Sequence, residues 1–437
     1  LLSYANSVAL NANGTSLLIG AMMENSETGY VLFFKKIGSR WVQQGPKLTA
    51  SDAKAKPRFG NSVALSADGN TALIGGYYDN YRTGAAWIFV RKGNSWIQEG
   101  KKLVGVGLNG GSFGTSVSLS ADGNTALIGA AEDNGGVGAS WIFSRKNEKW
   151  SQEGGKLVGT GGGAGSKQGT SVSISADGNT ALVGGPGANG AWIFCRKDNF
   201  WGQQGSKLTG SGSEGLFQSE QGTSVSLSAN GNVAVIGGIK DNKTTSYYPG
   251  AGAAWVFVRN GNTWTQSGRK LVGTGAIGGA EQGKNVAVSA DGQSILVGGW
   301  TDNSTDGACW LYTFIPPPVI HSFFPEAATI RDTVRINGAN LSTVTEVSFG
   351  GKTAASFNVL SPTTINAILD SGATGDVKLT SKVGSDSLSG FTFNPILPPT
   401  ITSFSPVSAS QFDTITIYGT NFKWVSSVSL GGRPVIS

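Results

Sequence analysis

The side chains best suited to bind a metal ion belong to a short acidic motif that recurs along the chain. An acidic residue followed by asparagine occurs at Glu24-Asn25, Asp79-Asn80, Asp133-Asn134, Asp241-Asn242 and Asp302-Asn303. Calcium takes roughly six to eight oxygen ligands, whereas each copy offers one carboxylate. The pattern therefore favours Asx-turns, in which the side chain bonds to its own backbone. The alternative is that these loops bind calcium. The weak candidates for calcium ligands are Asp79, Asp133, Asp241 and Asp302.

Residues that could carry out catalysis are scarce. His321 is the only histidine, and Cys195 and Cys309 are the only cysteines. Such a chain cannot build a histidine metal site from several imidazoles, and it offers no paired acids at a recognisable spacing. We therefore expect a non-catalytic protein that needs no cofactor. Both cysteines are expected to be buried as small apolar side chains, unpaired with each other.

Aromatic side chains form a third group that could bind a ligand. They lie in variable stretches between repeated strand-like segments, where binding residues are often found. Tyrosine suits positions that need both an apolar ring and a hydrogen bond. The predicted ligand-binding residues are Tyr77, Tyr78, Tyr81, Tyr247, Tyr248 and Trp300. The alternative is that these rings only pack the long loops against the fold.

The composition excludes several classes of protein. The 437 residues include 67 glycines and 12 tryptophans, with 14% charged residues and a net charge of +6. Glycine follows no three-residue period, so the chain is not collagen. Its apolar residues argue against disorder, and no apolar run is long enough to span a membrane as a helix. The basic residues are dispersed, which argues against nucleic acid as a partner.

A repeated motif organises most of the chain. The pattern Ser/Asn-Val-x-Leu/Ile/Val-Ser/Asn-Ala-Asp/Asn-Gly occurs six times, with its first valine at Val8, Val63, Val117, Val172, Val225 and Val286. Asp-Gly or Asn-Gly between two short β-rich runs predicts a tight hairpin. Each repeat contains four strand-like runs, which is the pattern of a β-propeller blade. We predict an all-β fold with a propeller over residues 1–314. Its blades are expected to start near residues 6, 61, 115, 170, 223 and 284.

Propeller geometry accounts for the unusual composition. Inner strands are crowded and need small residues such as Gly75 and Gly76. Outer strands diverge, so large side chains are needed to fill the space between blades. Tryptophan recurs at one position of the third strand and at the start of the fourth, as in Trp87 and Trp96. This repetition favours packing between blades over stacking against sugars.

The sixth repeat lacks a recognisable fourth strand. After Phe314 the chain reads Ile-Pro-Pro-Pro, and no Trp-x-Gln strand follows. An unpaired outer strand would expose a sheet edge. We expect an upstream segment to supply the missing strand and close a six-bladed ring. A seven-bladed propeller is the alternative.

The second region is also duplicated. Residues 315–318 form a proline linker, and the motif Ser-Phe-x-Pro followed by Asp-Thr and Gly-x-Asn occurs twice, 81 residues apart. Short alternating strands with Gly, Asn and Pro turns predict immunoglobulin-like β-sandwiches. We place one over residues 319–395 and a partial second copy over 398–437.

Two family resemblances follow from these motifs. The segment Phe59-Gly60-Asn61-Ser62-Val63 and its copies resemble the FG-GAP repeat of integrin α-subunit propellers, in a form similar to repeats of secreted or cell-surface proteins of Bacteroidetes-type bacteria. Residues 317–437 resemble IPT/TIG domains, which are strung as stalks in bacterial surface proteins. Integrin-type blades often carry an Asp-x-Asp/Asn-x-Asp-Gly calcium loop, whereas Ser66-Ala67-Asp68-Gly69-Asn70 offers one carboxylate.

The resemblance implies a function at the cell surface. We expect a secreted or cell-surface bacterial protein whose propeller binds a protein or glycan, as in adhesion, while its IPT/TIG domains act as a stalk. An alternative is a structural or accessory subunit of a surface filament or secretion-associated assembly. A polysaccharide-acting enzyme is the third hypothesis, for which no catalytic residues can be named.

Overall fold

Most of the chain folds into antiparallel sheets that follow one another in sequence order. The computed structural model describes residues 5–93, 95–245 and 249–435, and it divides into two compact units, residues 1–315 and 316–437. The first unit contains six sheets in which each strand pairs with the next along the chain. This meander confirms the predicted all-β propeller blades, which we number 1 to 6.

Five of the blades have four strands, and the sixth has three. Blade 1 consists of β1 (Ser7–Leu10), β2 (Ser16–Ala21), β3 (Tyr30–Ile37) and β4 (Arg40–Gln43). Blade 2 consists of β5 (Ser62–Leu65), β6 (Thr71–Gly76), β7 (Ala85–Lys92) and β8 (Ser95–Gln98). Blade 3 consists of β9 (Gly110–Leu119), β10 (Thr125–Glu132), β11 (Ala139–Lys146) and β12 (Lys149–Leu157).

The remaining blades repeat this order. Blade 4 consists of β13 (Ser171–Ile174), β14 (Thr180–Gly185), β15 (Gly190–Lys197) and β16 (Phe200–Leu208). Blade 5 consists of β17 (Gln221–Leu227), β18 (Val233–Gly238), β19 (Ala253–Asn260) and β20 (Thr263–Gln266). Blade 6 consists of β21 (Asn285–Val288), β22 (Ser294–Gly299) and β23 (Ala308–Thr313).

The first hairpin of each blade is built by its Asp-Gly or Asn-Gly turn. In blade 2 the Asp68 carboxylate accepts hydrogen bonds from the Ser66 hydroxyl at 2.5 Å and from the Asn70 backbone N–H at 2.9 Å. Gly69 has φ +74°, a conformation that costs glycine little. The predicted hairpin is therefore confirmed, and its register places Val63 opposite Ile74.

Consecutive blades are joined by the same contacts at each of five seams. The alanine before the Asp-Gly turn donates its N–H to the same alanine of the next blade, in the series Ala12 to Ala67, Ala121, Ala176, Ala229 and Ala290. The third-strand tryptophans of blades 2 to 5 are fully buried (Trp87, Trp141, Trp192 and Trp255). The indole N–H of Trp141 donates to the carbonyl of Val106 in the loop of the preceding blade, at 3.0 Å. The prediction that these rings pack between blades is confirmed.

The outward faces of the first and last blades are exposed. Val8 is 66% exposed, whereas its counterpart Val63 is 9% exposed. On blade 6, Leu311 is 73% exposed, whereas its counterpart Ile88 is 1% exposed. Cys309 is exposed on the same face, so the expectation that both cysteines are buried is wrong for this one. The residues at the equivalent position of the other blades lie inside seams. In the part of the chain that the structure describes, no following blade covers the outward face of blade 6.

The second unit begins with a β-sandwich. One sheet orders its strands as β24 (Val319–Phe324), β26 (Thr333–Ala339), β30 (Thr364–Ile368) and β29 (Ser356–Ser361). The other orders them as β25 (Ala327–Ala328), β32 (Gly384–Phe393), β31 (Gly375–Ser381), β27 (Val344–Phe349) and β28 (Lys352–Thr353). Val334, Phe349, Leu379 and Phe391 are buried in a shared core. This architecture agrees with the predicted immunoglobulin-like domain.

The partial second copy repeats the opening of the sandwich. It contains β33 (Thr400–Ser405), β34 (Thr416–Thr420), β35 (Ser429–Leu430) and β36 (Arg433–Pro434). The pairing of Thr400 with Thr420 matches that of Val319 with Ala339, 81 residues earlier. The sequence duplication is thus also a duplication of strand register.

Candidate functional site

The long loops at one end of the blades are bound to each other across the seams. Four turns that follow a second strand have two central residues in the left-handed conformation: Glu24–Glu27, Asp79–Arg82, Asp133–Gly136 and Asp302–Thr305. In blade 4 the 3₁₀ turn Pro186–Ala188 takes this place. In blades 1 to 3, a glycine follows each of these turns and forms a β-bridge to the first residues of the next blade. Gly84 forms this bridge with Phe113. We call this surface the long-loop face.

Three of the calcium candidates, Asp79, Asp133 and Asp241, are bound by lysine. Asp133 is fully buried. Its Oδ1 accepts the backbone N–H of Asn109 at 2.6 Å, and its Oδ2 lies 2.6 Å from the Lys156 ammonium. Asp79 makes the same contacts with Lys54 and Lys102. Asp241 makes them with Glu214 and Lys270.

These carboxylates therefore already have a cation and a backbone donor. They reach across to other segments rather than closing their own turns, so the Asx-turn interpretation of these three residues is wrong. A calcium ion would have to displace each lysine. Among residues 5–93, 95–245 and 249–435, no three His, Cys, Asp or Glu side chains are grouped as a metal site.

Asp302 differs from the other three aspartates. Its side chain is 8% exposed, and Oδ1 accepts the N–H of Ile277 at 2.7 Å. Within the described residues, no lysine or arginine forms an ion pair with it. The reason lies in the sequence, because the lysine of each other pair lies at or just after the end of a fourth strand, and blade 6 has three strands within the described residues.

Two of the predicted ligand-binding tyrosines form a cluster with arginine. The rings of Tyr77 and Tyr78 meet edge to face, with centroids 6.1 Å apart. The Arg58 guanidinium lies 4.7 Å from the Tyr78 centroid and hydrogen-bonds to the Tyr77 hydroxyl. It also forms an ion pair with Glu27 at 2.7 Å, and hydrogen bonds from Arg58 hold the pKa of Glu27 below its ordinary value. Arg58 thus connects the loops of blades 1 and 2.

The other predicted residues are dispersed. Tyr81 lies in the same turn as Asp79 and is 82% exposed, with φ +59°. Trp300 is 55% exposed on blade 6, where its indole N–H bonds to Glu281 and Lys284 lies 5.2 Å from its ring. Tyr247 and Tyr248 lie outside the described residues. The structure therefore brings together Tyr77, Tyr78 and Tyr81 on blade 2, and it places Trp300 four blades further along the chain.

Sequence reasoning missed a series of residues at the start of the blades. The residue before each Phe-Gly or Gln-Gly pair has a positive φ, between +51° and +72°, although none is glycine: Arg58, Ser112, Lys167, Glu220 and Glu281. Non-glycine residues seldom adopt this conformation. Four of the five side chains contact neighbouring loops, as in Lys167 with Glu132 at 2.6 Å and Glu220 with Lys240 at 2.5 Å, whereas Ser112 is buried. The signal in the sequence was a variable residue directly before a repeated Phe-Gly or Gln-Gly pair.

Two family models match parts of this chain. A family model for the FG-GAP repeat matches residues 41–89, and one for the IPT/TIG domain matches residues 318–395 and 399–436. The chain combines an FG-GAP repeat with IPT/TIG domains. Both are typical of extracellular proteins. No helix in the described ranges is long and apolar enough to cross a membrane.

Three solved structures are similar to this chain at low sequence identity. A protein from Lactobacillus plantarum shares 11% identity over 88% of both chains, with a TM-score of 0.48. A functionally unknown protein from Desulfotomaculum acetoxidans shares 11% identity over 69% of this chain and 81% of its own, with a TM-score of 0.46. A candidate 6-phosphogluconolactonase from Bacteroides fragilis shares 11% identity over 88% of this chain and 87% of its own, with a TM-score of 0.47. No curated protein matches the sequence.

Proposed function

We propose that this FG-GAP and IPT/TIG protein is a non-catalytic binding protein of the bacterial cell surface. In this proposal the long-loop face of the propeller binds a protein or glycan, and the IPT/TIG domains act as a stalk. The domain combination supports an extracellular, surface-type role.

The observation that carries the proposal is the variation at the left-handed positions. The buried tryptophans that pack between blades keep one residue type. The five positive-φ positions instead share the left-handed conformation and carry different side chains, of which four are charged and partly exposed and one, Ser112, is buried: Arg58, Ser112, Lys167, Glu220 and Glu281. Different side chains on a constant scaffold are typical of a recognition surface. Arginine and lysine come first along the chain and the two glutamates last, so the face offers a partner both charge signs.

The strongest anchor on this face is the blade 2 cluster. Arg58 holds Tyr77 and Tyr78 in place, which reduces the entropy lost when a partner binds. Tyr81 lies in the turn that follows them along the chain and is 82% exposed. Tyrosine and arginine are enriched among the residues that dominate protein interfaces, and tyrosine rings also suit the apolar faces of sugars.

The test compares two exposed aromatic residues at opposite ends of the propeller. The full chain would be applied to a glycan array and to a cell-surface protein library, and binding would be repeated with Tyr81→Ala and Phe200→Ala. Phe200 is 78% exposed and lies at the turn between third and fourth strands. We expect Tyr81→Ala to weaken binding at least tenfold and Phe200→Ala to leave it unchanged. Equal effects of the two substitutions, or no ligand of either class, would overturn the proposal.

A second function, as a structural subunit of a surface assembly, is favoured by a separate observation. The apolar outward faces of blades 1 and 6 carry Val8 and Leu311, each more than half exposed. Patches of this kind commonly mark contact surfaces. Concentration-dependent polymers of the purified chain, abolished by Leu311→Asp, would favour this function over ligand binding at the long-loop face.

A further inference from the structure

Two seams of the propeller hold a carboxylate beside the turns between third and fourth strands. Between blades 2 and 3, Glu99 forms an ion pair with Arg145 at 3.2 Å and accepts the indole N–H of Trp150 at 2.7 Å. Between blades 3 and 4, Glu153 forms the equivalent ion pair with Arg196 at 2.9 Å. In each case the preceding blade neutralises the arginine of the following one.

The seam between blades 4 and 5 has an amide in place of this carboxylate. Gln204 takes the position of Glu99 and Glu153 in the repeat. Its Oε1 accepts the indole N–H of Trp264 at 2.9 Å, and its Nε2 donates to Oδ1 of Asn262 at 3.0 Å. The amide therefore closes this seam without supplying a negative charge.

Arg259 is the arginine of this seam, and its hydrogen-bond partners are neutral. It is equivalent to Arg145 and Arg196 in the repeat. Its Nε donates to the Gly261 carbonyl at 3.0 Å, and its Nη1 donates to the Thr180 hydroxyl at 3.2 Å. Among the residues that the structure describes, no aspartate or glutamate forms an ion pair with it. Because arginine stays protonated in proteins, its charge is left uncompensated.

A groove opens beside Arg259 at this seam. Its volume is about 780 Å³, whereas the groove at the seam of blades 2 and 3 has about 400 Å³. Gly202 lines it where blade 2 has Ile97 and blade 3 has Ser151. A Cβ on Gly202 would meet nothing within 4 Å, so the space beside it is open. The groove is large enough for a small ligand, since such sites measure roughly 300–1,000 Å³.

The side chains of this surface, which we call the blade 4–5 groove, carry one positive charge in excess. Its charged and polar lining includes Arg196, Lys197, Asp198, Arg259 and Asn262. Arg196 is neutralised by Glu153, and the charge of Lys197 is balanced by the adjacent Asp198. The excess charge is therefore that of Arg259, and a ligand with a single negative charge would balance it.

The blade 4–5 groove also offers hydrogen bonds that suit hydroxyl groups. Asp198 is exposed, and its carboxylate can accept hydrogen bonds from a ligand. Asn262 uses Oδ1 to accept from Gln204, and within the described residues its Nδ2 donates no hydrogen bond. An acceptor and a donor thus accompany the uncompensated arginine.

We propose that the blade 4–5 groove binds a hexuronic acid, a sugar with one carboxylate and several hydroxyl groups. The carboxylate binds the Arg259 guanidinium in a charge-assisted pair, and the hydroxyls bind Asp198 and Asn262. One carboxylate matches the single excess charge better than a doubly charged phosphate does. The groove lies at the end of the blades opposite the long-loop face, so the inference is independent of the ligand proposed there.

The experiment measures sugar binding to the full chain by ligand-observed NMR titration. The probes are galacturonate, trigalacturonate and galacturonamide, which keeps the ring and hydroxyls without the charge. We expect galacturonate to bind at least tenfold more tightly than galacturonamide. A trimer that binds at least tenfold more tightly than the monomer would identify a polysaccharide as the source, and equal affinities would identify a free sugar acid. Either result supports the site.

Three variants test the groove itself. Arg259→Gln should weaken galacturonate binding at least tenfold. Gln204→Glu supplies the carboxylate that the two preceding seams have, so it should neutralise Arg259 and weaken binding to the same extent. Gly202→Ile restores the side chain of blade 2 and should block the groove. Gln204→Glu and Gly202→Ile reproduce residues found at equivalent positions of other blades, so they keep the test decisive if Arg259→Gln does not fold.

The matched control places the same charge at another seam. Gln44 is the counterpart of Gln204 in blade 1, and Gln44→Glu should leave galacturonate affinity unchanged, as should Tyr81→Ala on the long-loop face. Equal affinity for galacturonate and galacturonamide, or equal effects of Gln204→Glu and Gln44→Glu, would overturn the proposal. A triglutamate peptide that binds more tightly than trigalacturonate would overturn it too, since the ligand would then be an acidic protein segment.

Discussion

The ammonium of Lys156 lies 2.6 Å from Oδ2 of Asp133, a carboxylate that is fully buried. The pair joins the turn after the second strand of blade 3 to the end of its fourth strand, across 23 residues. It therefore connects an inner and an outer part of the blade at the long-loop face. A motif that could have held calcium serves here as an internal ion pair.

Removal of either partner of the Lys156–Asp133 pair should destabilise the protein, but removal of the lysine should cost more than removal of the aspartate charge. Lys156→Met leaves a buried carboxylate with only the Asn109 N–H, so we expect the free energy of unfolding to fall by about 3 kcal/mol. Asp133→Asn should cost less, because the lysine can turn towards water. Lys167→Met, which removes the more exposed pair with Glu132, should cost no more than ~1 kcal/mol. Denaturant titration followed by tryptophan fluorescence measures all three, and equal losses for Lys156→Met and Lys167→Met would contradict the assignment.

Calcium should not stabilise the protein. Since lysines occupy the carboxylates of Asp79, Asp133 and Asp241, an added ion would have to displace a bound ammonium at each site. We expect the same Tm with millimolar calcium as with a chelator, measured by differential scanning fluorimetry. A calcium-dependent rise in Tm that Asp133→Asn abolishes would show that the calcium hypothesis is correct.

Close packing between blades should exclude a side chain at Gly75 but tolerate one at Gly298, its counterpart in blade 6. A Cβ on Gly75 would lie against the carbonyl oxygen of Gly114 in the next blade, whereas a Cβ on Gly298 would meet nothing closer than 3.6 Å. Gly75→Ala should therefore destabilise the fold by about 1–3 kcal/mol or more. Gly298→Ala should change stability by less than ~0.5 kcal/mol. Thermal unfolding of both variants measures the difference, and a comparable loss at Gly298 would mean that another blade covers it.

The parts of the fold that the sequence predicts are those determined locally or repeated strictly. Asp68-Gly69 specifies a hairpin by its own turn chemistry, and the recurrence of Trp87 at Trp141 and Trp192 specifies packing between equivalent blades. The three-stranded sixth blade also follows directly from the absence of a Trp-x-Gln strand after Phe314.

The site was harder to predict because its partners are distant in sequence and its conformations are unusual. Nothing near Asp133 indicates that Lys156 will neutralise it, since the contact depends on the path of two intervening strands. The positive φ of Arg58 could not be predicted, because arginine does not favour that conformation. The surrounding loops impose it. Tyr77 and Tyr78 were identified as candidates, but their attachment to Arg58 required the structure.

Because of its Asp-Gly turns, the protein should lose stability as the solution becomes acidic. Burial acts to raise the pKa of Asp122, but hydrogen bonds from Ser120 and Asn124 outweigh it, and the pKa lies below its ordinary value. The same holds for Asp68 and Asp177. A carboxylate with a lowered folded-state pKa stabilises the fold above its unfolded-state pKa, and that contribution is lost as the pH falls through the folded-state value. These turns should therefore weaken below about pH 4.

Blade 5 supplies the matched control for this acid dependence. Asn230 replaces the aspartate there and accepts the same bonds from Ser228 at 2.7 Å and Asn232 at 3.0 Å. Replacing Asp68, Asp122 and Asp177 with Asn should leave Tm nearly unchanged at pH 7 and reduce its fall between pH 5 and pH 3. Thermal melts across this range test the expectation, which fails if the triple variant loses stability as steeply as the parent.

The two cysteines should react with thiol reagents at very different rates. Burial raises the pKa of Cys195, which leaves less of the reactive thiolate, and its sulfur lies 3.5 Å from Oε1 of Gln204. Cys309 is exposed on the outward face of blade 6. At pH 7.5 we expect a fast phase of maleimide labelling that disappears in Cys309→Ser and a slow phase that disappears in Cys195→Ser, both followed by intact-protein mass spectrometry. Slow labelling of Cys309 in the native chain, with fast labelling after denaturation, would instead mean that this face is covered in solution.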